Sequence, residues 1–491
     1  MDYEAVIGLE THVQLKTKSK MWCSCANAFG APPNTHVCPV CLGLPGVLPV
    51  ANEEALRLTV LTGLLLNCGI PQRAKFDRKN YFYPDMPKNY QITQYDQPST
   101  ANGYVEFEFN GGISRVRITR AHLEEDVGKS FHFERNSGVD FNRAGVPLME
   151  IVSEPDIASA DMAYEYLNAL KDILVYGGVS DCDMEKGMVR CDVNVSVRPV
   201  GAKELGAKIE IKNMNSFSGV RRALEYEIPR QIEALKKGGQ LIQSTRRWDD
   251  EVSVTEEMRT KEFAHDYRYF PDPDLMPFVP TEQWLAEVKS RMVELPLARK
   301  QRFMRDYGLP TGDAEVFKND VALGDYFEPI AKQTKNPKAV ANWVINNLRA
   351  KLAEAPLTPA LSPPGGERVA KPGEGLAYLK FKPEAILELI NLVDSKTISS
   401  SAAQQVFAEM FDTGKTPAVI AKEKGLAQVS DSTAIEKFCD EAIAANPGPV
   451  ADFKAGKLAA LNRIKGHVMK LSKGKANPAL VGEILERKLK Q

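Results

Sequence analysis

The hydrophobic pattern of this chain changes once, near residue 294, and the change limits the folds the chain can adopt. Up to about residue 293, short runs of alternating apolar and polar residues are separated by Gly, Pro and Asn turns, which is typical of β-strands. From Glu294 onward, apolar residues recur three and four apart, which predicts helices. We therefore expect an α+β fold, in which a sheet-rich N-terminal domain, residues 1–293, precedes a mainly α-helical part.

The chain has 491 residues, which is too long for one hydrophobic core, so further boundaries are expected. We place a helical domain at residues 294–412 and a basic helical tail at residues 413–491. Residues 357–375 are dense in Pro and Gly, which predicts a flexible insert. No run approaches the roughly 20 apolar residues that cross a membrane, and no secretory signal is visible at the N-terminus. We expect a cytoplasmic protein that does not enter a membrane.

The first predicted strand, YEAVIGLETHVQL, carries candidate chemistry on one of its two faces. Its odd positions are apolar, whereas Glu10, His12 and Gln14 point the other way. A polar strand face is most often only solvated. A second acidic and imidazole cluster, HLEED at residues 122–126, weakens that interpretation, as does Glu150 between apolar neighbours. Carboxylates with a histidine and few free cysteines favour a hard divalent ion, Mg²⁺ or Mn²⁺.

Four of the eight cysteines form a metal-binding pattern. Cys23, Cys25, Cys38 and Cys41 follow the spacing C-x-C-x12-C-x2-C, and soft thiolates so arranged favour one tetrahedral zinc ion. Four sulfur ligands leave no open position, so the zinc is predicted to be structural. His36 could replace one cysteine, and four free buried thiols are the alternative. Without an export signal, a disulfide framework is not expected.

The segment from Asp77 to Pro98 combines cations, amides and aromatic rings with three prolines, which hinder helix formation. Cations suit phosphate oxygens and rings suit stacking on a base, although an aromatic loop packed over a sheet has the same composition. The alternating run at residues 184–198 is predicted to form another wall of the same cleft. Candidate contacts to ATP or its phosphates are Arg78, Lys79, Tyr81, Tyr83, Lys88, Asn89, Arg190 and Asp192.

Lys and Arg beside bound magnesium are the components of phosphoryl transfer, so ATP use is predicted. Neither G-x-x-x-x-G-K-[ST] nor G-x-G-x-x-G is present, which argues against a P-loop or a Rossmann nucleotide site. At the other end of the chain, residues 449–491 carry ten Lys or Arg against three acidic residues. This charge predicts contact with a polyanion, and a solvated basic helix is an equal alternative. The candidate contacts are Lys454, Lys457, Arg463, Lys465, Lys470, Lys473 and Lys475.

Several of these segments, taken in order, resemble the B-subunit family of the tRNA-dependent aspartyl/glutamyl amidotransferases. They are GLETHVQL, KFDRKNYFYPDMPKNYQI, ITRAHLEEDVGKS, PLMEIVSEPD, MEKGMVRCDVNVSVRP, IEIKNMNSF, DYRYFPDPDL and KGHVMKLSKGKANPALV. Each motif is modest alone, but together they are specific and extend over nearly the whole chain. The 357–375 insert departs from the family pattern, away from these motifs.

The resemblance implies an N-terminal cradle domain, a helical domain and a helical tail that engages the elbow of tRNA. It implies a carbon–nitrogen ligase that uses ATP to phosphorylate the side-chain carboxylate of Glu-tRNA(Gln), Asp-tRNA(Asn) or both, and then amidates it with nitrogen from glutamine. The chain lacks the Gly- and Ser-rich nucleophile region of amidase-type glutaminases. Ammonia would therefore come from a separate amidase, the A subunit, and a small C subunit would bridge the two chains in a heterotrimer.

We predict that the catalytic residues are Glu10, His12, Glu124, Glu125 and Glu150. Of these, Glu10, His12, Glu125 and Glu150 are the predicted magnesium ligands, with Glu124 and Asp126 as alternates. Two other functions compete with this hypothesis. A class I aminoacyl-tRNA synthetase is suggested only by the KLSK run at residues 470–473, without a Rossmann signature. A noncatalytic tRNA-binding scaffold subunit would have the same tail and purely structural acidic residues.

Overall fold

The computed structural model describes residues 2–260, 267–354, 372–426, 432–472 and 476–490. The chain divides into two compact units, Met1–Arg299 and Lys300–Gln491. The first contains sheets covered by helices, and the described elements of the second are all helical, which confirms the predicted α+β class. Most of the predicted insert, residues 357–371, lies outside the described residues. The predicted boundaries at 293 and 412 stay predictions.

The first unit is built on an eight-stranded sheet. Its order is β12-β11-β10-β9-β1-β8-β5-β4, and all neighbouring strands are antiparallel except β10 and β11. A three-stranded sheet, β13-β2-β3, and the hairpin β6-β7 complete the strands of the described residues. The strands are β1 (Tyr3–Gln14), β2 (Asp77–Asn80), β3 (Tyr90–Thr93), β4 (Thr100–Phe109), β5 (Gly112–Glu125), β6 (Lys129–His132), β7 (Ser137–Asp140), β8 (Pro147–Ser153), β9 (Val189–Pro199), β10 (Ile209–Met214), β11 (Ser244–Asp249), β12 (Val254–Thr260) and β13 (Phe270–Pro271).

The helices of this unit pack on one face of the large sheet. They are α1 (Glu53–Leu65), α2 (Ala160–Tyr176), α3 (Phe217–Lys236) and α4 (Glu282–Lys289). Helix α2 begins at Ala160 because Ser159 caps its first turn by accepting the Met162 N–H, and Gly178 follows its end with φ +64°. Helices α1, α2 and α3 share one apolar core with the odd-numbered residues Ile7, Leu9 and Val13 of β1. The even-numbered polar residues of β1 are therefore left for the opposite face.

The turn between β4 and β5 explains why these two strands form a hairpin. Asn110 and Gly111 have φ values of +51° and +77°, the left-handed geometry that matches the twist of two antiparallel strands. Gly is free of the Cβ penalty there, and Asn tolerates it. This hairpin forms the far edge of the sheet and brings the acidic end of β5 beside β8.

The second unit consists of helices around two separate apolar clusters. One cluster joins residues from Phe303 to Ala421, and the other joins residues from Ile435 to Leu489. Among the described residues, no helix is long and apolar enough to cross a membrane. The helices are α5 (Pro296–Tyr307, which contains the division between the units), α6 (Thr311–Asn319), α7 (Val321–Ala331), α8 (Pro337–Asn342), a π-helical segment (Trp343–Leu348), α9 (Arg349–Glu354), a 3-10 helix (Pro372–Tyr378), α10 (Glu384–Asp394), α11 (Ser400–Thr413), α12 (Pro417–Glu423), α13 (Ser432–Ala445), α14 (Pro447–Lys454), α15 (Ala460–Leu471) and α16 (Pro478–Lys490).

Candidate functional site

The register of four central strands brings the polar residues of the sheet into rows. His12 on β1 lies opposite Glu150 on β8 and opposite Arg190 on β9, and Glu150 in turn lies opposite His122 on β5. Directly opposed residues share a face of the sheet, so these four side chains form one row. Because the apolar residues of β1 pack against the helices, the row lies on the face away from them.

Three residues converge at the centre of this face, and we name them the His–Glu group: His12, Glu124 and Glu150. The His12 Nε2 lies 3.3 Å from Glu150 Oε2 and 3.7 Å from Glu124 Oε1. One donor atom from each residue can be chosen so that all three lie within 4.8 Å of one another. One imidazole nitrogen and two carboxylates at this separation could hold a divalent cation.

The pKa values in the His–Glu group reflect burial and mutual charge. Burial disfavours the protonated imidazole, but the hydrogen bond to Glu150 and the charge of Glu124 raise the pKa of His12 to about 9. Burial raises the pKa of Glu124 to about 7, although the neighbouring imidazole acts against it. Burial also disfavours the Glu150 carboxylate, yet the hydrogen bond from His12 and the nearby His122 hold its pKa well below the usual range. Without a cation, His12 and Glu150 therefore form an ion pair.

Two of the predicted magnesium ligands fall outside this group. Glu10 accepts a hydrogen bond of 2.9 Å from the Asn194 side-chain amide, and burial together with the charge of Glu150 raises its pKa. Glu125 is buried and pairs with the Lys88 ammonium, and it also accepts the backbone N–H of Ile92 at 3.0 Å. In a pleated strand, adjacent residues point to opposite sides, so Glu124 and Glu125 have different neighbours.

The predicted phosphate-binding cations occupy different surroundings. The positive charge of Lys79 favours the ionised form of both Glu124 and Glu150, which for Glu124 opposes the larger effect of burial. The Lys79 Nζ lies 4.9 Å from the Tyr267 ring centroid. Arg190 donates to Asp126 over 2.8 Å. Arg78 instead bonds to two aspartates that follow β13, over 2.8 and 2.9 Å. Lys79, Lys88 and Arg190 are thus near the His–Glu group or its neighbouring carboxylates, whereas Arg78 braces the small sheet.

The other predicted nucleotide contacts are equally diverse. Tyr81 is half-buried and has a pKa well above the usual range because of desolvation and the surrounding carboxylates, whereas the Tyr83 side chain is exposed. Asn89 has φ +60° and closes the turn between β2 and β3 by accepting the Tyr81 N–H at its carbonyl. Asp192 accepts a hydrogen bond of 2.6 Å from Lys212. The ends of the aromatic segment pair as the strands β2 and β3, and Tyr81, Tyr83 and Asn89 lie in the connection between them, whereas Asp192 is on β9.

Sequence reasoning gave too little weight to Asp126, which organises one edge of the site. Its side chain is 1% exposed and binds the Gln14 amide over 2.9 Å and Arg190 over 2.8 Å, with Arg143 at 3.6 Å. Burial alone would raise its pKa, but the two guanidinium groups and the Gln14 hydrogen bond lower it. Asp126 belongs to the acidic HLEED run, which marks it as a candidate, but spacing along the chain does not show that its partners differ from those of Glu124. His122 belongs to the same run, and the sequence predicted no role for it. Burial lowers its pKa to about 4.

A groove of about 590 Å³ opens beside this network. Gln14, Arg143 and Arg190 line the side nearest the His–Glu group, and Phe29 and Phe131 are among the residues farther out. A smaller cavity of about 210 Å³ lies along β1 in the other direction, between Glu10, Asn194 and Lys208. Each cavity is lined by a polar residue of β1 two positions from His12: Glu10 in the smaller one and Gln14 in the larger one.

The four cysteines of the predicted zinc site come together. Their sulfur atoms all lie within 4.8 Å of one another, so the cluster could hold zinc. A hydrogen bond from Cys23 lowers the pKa of Cys41 to about 4 against the effect of burial, and the Cys38 N–H supports the same thiolate at 3.1 Å. The Lys20 ammonium, which is fully buried, lies 3.6 Å from the Cys41 sulfur. His36 is not a member of this cluster.

Five of the seven predicted tail cations lie on α14, α15 and the connection between them. Lys454, Arg463 and Lys470 are exposed or partly exposed, and none of them makes an ion pair with any described residue. Lys457 is paired with Asp452 over 3.0 Å. Lys465 is half-buried, and its ammonium approaches Gly482 on α16. Lys473 and Lys475 lie outside the described residues.

Two protein-family models match this chain. Residues 5–286 match the model described as the GatB/GatE catalytic domain, and residues 325–489 match the model described as the GatB domain. The chain belongs to the GatB family. The first match contains the His–Glu group and the four-cysteine cluster, and the second contains the basic tail.

Named relatives of this GatB chain are similar over their full length. The B subunit of the aspartyl/glutamyl-tRNA(Asn/Gln) amidotransferase of Caldicellulosiruptor saccharolyticus is 51% identical over 100% of both chains. The proteins of the same name from Carboxydothermus hydrogenoformans and Methylacidiphilum infernorum are each 52% identical, over 99% and 100% of both chains respectively. The family predicted from the eight motifs is confirmed.

Proposed function

We propose that this GatB chain activates and amidates the side-chain carboxylate of Glu-tRNA(Gln), Asp-tRNA(Asn) or both. The observation that carries the proposal is the His–Glu group, with Arg190 in the same row of the sheet, the charge of Lys79 acting on both carboxylates, and Lys88 paired with the adjacent Glu125. A carboxylate resists attack by ammonia because oxide is a very poor leaving group. Activation by ATP removes that obstacle, and it requires a site that neutralises phosphate charge.

The residues of the His–Glu group fit a hard divalent cation. Two carboxylates supply oxygen donors, and His12 could supply nitrogen once it is deprotonated. We propose His12, Glu124 and Glu150 as the ligands, so Glu124 replaces Glu125 in the set predicted from sequence. Bound Mg²⁺, or Mn²⁺, would neutralise charge on the phosphate oxygens of ATP and of the transferred group. Glu10 is a further carboxylate that could join the group on the side of the smaller cavity.

The protein residues would position the two reactants on either side of the His–Glu group. Lys79 and Arg190 can orient the phosphates of ATP, and the groove beside Arg190 is large enough for a nucleotide. The side-chain oxygen of the aminoacyl group attacks the γ-phosphorus, ADP leaves, and an acyl phosphate forms. The nitrogen of ammonia then attacks the acyl carbon, and the carbon–oxygen bond to phosphate breaks. Glu10, whose pKa burial raises, can accept the proton that nitrogen loses.

The source of ammonia is proposed to be a partner. Two observations support partner chains: the sequence lacks a glutaminase motif, and the relatives are named as subunits. The proposed assembly is a heterotrimer with an amidase, or glutaminase, called the A subunit and a small C subunit. The exposed cations of the tail support binding of the tRNA body. The proposed location is the cytoplasm, because charged tRNA is made and used there. The four-cysteine cluster is proposed to hold structural zinc.

The test is ATP-dependent amidation of each misacylated tRNA by the chain combined with both partner subunits, with glutamine or ammonium chloride as nitrogen source. Glu150→Gln should lower kcat by about a hundredfold or more, because one cation ligand is lost, and should leave the Kd for tRNA unchanged. Glu154→Gln is the matched control, since the Glu154 carboxylate binds the Thr119 hydroxyl over 2.7 Å, beyond the last pair of β1 with β8. Mn²⁺ binding measured by electron paramagnetic resonance should weaken in the first variant alone.

The outcomes separate the two candidate functions. Formation of ADP that depends on misacylated tRNA, lost in Glu150→Gln, supports catalysis by this chain. Full activity of Glu150→Gln would contradict the proposed cation ligands. Tight tRNA binding without any ATP-dependent amidation in the complete assembly would favour the noncatalytic scaffold.

A further inference from the structure

The cysteine cluster adjoins the Lys88–Glu125 ion pair through two glycines, Gly43 and Gly145. Its second half is a tight turn, Cys38–Gly43, closed by hydrogen bonds from Leu42 N–H to Cys38 O at 3.0 Å and from Gly43 N–H to Val40 O at 3.1 Å. Gly43 ends the turn with φ +66°, the left-handed conformation that favours glycine. A Cβ on Gly43 would lie 2.6 Å from Lys88 Cγ and 3.0 Å from Lys88 Cα. The turn and Lys88 are therefore in close contact.

A second contact reaches Glu125 from the other side. A Cβ on Gly145 would lie 3.5 Å from the Cβ of Cys41 and 3.8 Å from Glu125 Oε2. Gly145 is thus placed between a cluster cysteine and the carboxylate. Its backbone is fixed by hydrogen bonds from Met21 N–H to its carbonyl at 2.7 Å and from its own N–H to the Asp126 carbonyl at 2.9 Å. Both residues of the Lys88–Glu125 pair therefore adjoin elements that touch the cysteine cluster.

The pair itself is buried and connected to the His–Glu group. The Lys88 and Glu125 side chains are 9% and 3% exposed. Glu125 also accepts the Ile92 N–H, and its own backbone carbonyl accepts the Gln91 side-chain amide at 2.6 Å. Glu125 follows Glu124 in β5, so a displacement of one changes the direction of the other. A change in the shape of the Cys38–Gly43 turn must therefore displace its packed neighbours, because the buried Lys88 and Glu125 side chains cannot move into solvent.

We propose that the cysteine cluster, when it binds zinc, positions the Lys88–Glu125 pair, with Gly43 as the positioning residue that transmits the contact. Zinc fixes the separation of Cys38 and Cys41 and with it the shape of the turn. Gly43 then holds the Lys88 backbone at the distance that lets its ammonium reach Glu125. A zinc ion that only stapled the local loop would leave this pair unchanged when removed.

The closing experiment compares hydrogen exchange in zinc-loaded and zinc-stripped chain. Removing zinc should increase exchange in residues 88–93, which contain the Ile92 amide bound to Glu125, by about tenfold, and re-adding zinc should restore protection. Residues 209–214, in β10 of the large sheet, should not change. Unchanged protection of residues 88–93 while the cysteine loop itself becomes exposed would overturn the proposal and leave zinc as a local staple.

Two glycine variants isolate the contact. Gly43→Ala adds a methyl group against Lys88, whereas Gly46→Ala imposes the same kind of backbone penalty, at φ +86°, with nothing within 4 Å of its new methyl. In zinc-loaded protein, Gly43→Ala should reproduce the exchange of zinc-stripped wild type in residues 88–93, and Gly46→Ala should match zinc-loaded wild type. Equal effects of the two variants would overturn the role of Gly43.

The catalytic consequence rests on the proposed function, whereas the positional one does not. In the complete assembly, Gly43→Ala should lower kcat for amidation at least about tenfold with an unchanged KM for tRNA, while Gly46→Ala keeps wild-type rates. If no variant and no wild-type assembly amidates tRNA, the proposed function fails, but the exchange result still decides the positional inference. If the wild type amidates and Gly43→Ala does so at full rate, the catalytic part of the inference fails.

Discussion

At the scale of single residues, the direction of a side chain decides its chemistry more than its identity does. Glu124 and Glu125 are adjacent and chemically alike, yet one faces His12 and the other pairs with Lys88. Asp126, the next residue, is enclosed and binds Arg190 and Gln14. Three consecutive acids therefore have three different sets of partners, because successive residues alternate sides and the strand ends at this point.

Asp126→Asn should destabilise the first unit. The change removes the negative charge that pairs with Arg143 and Arg190, and we expect a cost of about 2–3 kcal/mol because both guanidinium groups are partly exposed. Calorimetry should show the corresponding transition lowered by roughly 4–10 °C near pH 7. Asp181→Asn is the matched control, since its partner Lys16 is exposed and the pair contributes little.

The destabilisation should depend on pH with a defined sign. The folded pKa of Asp126 lies below its ordinary value of 3.8, so the folded state binds fewer protons than the unfolded state near that pH. Its stabilising contribution is complete above pH 3.8 and is lost as the pH falls through the lowered folded value. The difference in Tm between wild type and Asp126→Asn should shrink at strongly acidic pH. A difference that stays constant from neutral pH down to the acid limit of folding would contradict this assignment.

At the scale of elements, the cysteine loop is the clearest case of a local pattern that acts through tertiary contacts. The four thiols converge as their spacing predicts, but the turn that carries two of them packs on Lys88 and Gly145. The strand β5 shows the same principle. Its position between β4 and β8 follows from the Asn-Gly turn and the pleat, and this position places Glu124 at the His–Glu group.

Purified chain should contain about one zinc ion, and Cys38→Ser should lose most of it. We expect elemental analysis to show this loss and a chelator to release any remaining zinc at least about tenfold faster. Cys68→Ser is the matched control because Cys68 is buried against the backbone of Leu66, away from the cluster. Protein that is free of zinc after purification without chelators would remove the zinc assignment.

At the scale of the whole molecule, we assign the proposed catalysis to the first unit and the proposed tRNA binding to the second. The first carries the candidate chemistry on one sheet face, and the second carries exposed cations on its last helices. Chemistry and recognition of a large nucleic acid can then be separated by mutation. Phosphate contacts position a nucleic acid and contribute much of its affinity without taking part in the reaction itself.

Neutralising Lys454, Arg463 and Lys470 to Gln should weaken tRNA binding about tenfold or more at low salt and leave zinc content and folding unchanged. The slope of log affinity against log salt concentration should fall by roughly one for each phosphate that the variant no longer neutralises. Lys488→Gln is the matched control, because its ammonium is held by Asp440 at 2.7 Å. Equal affinity and equal slope in the triple variant and wild type would show that the tail does not bind tRNA.

Much of the fold followed from local patterns. The period-two runs in the first segment and at residues 184–198 predicted strands where β1 and β9 lie, and the described elements after Glu294 are helical as predicted, while the boundary itself stays a prediction. Patterns failed where local preference and tertiary pairing competed. The segment after Asp77 shows no strand periodicity, because Pro and Asn interrupt it, yet its ends pair as β2 and β3.

The sequence by itself determined the family, the α+β class, the four-cysteine cluster and which polar residues share a strand face, because these depend on residue type and on short, fixed spacings. Only the tertiary structure decided which carboxylates meet. The order β9-β1-β8-β5 brings residues more than a hundred positions apart into one row. The partners of Glu124, Glu125 and Asp126 then follow from the pairing of non-adjacent strands, which no local spacing encodes.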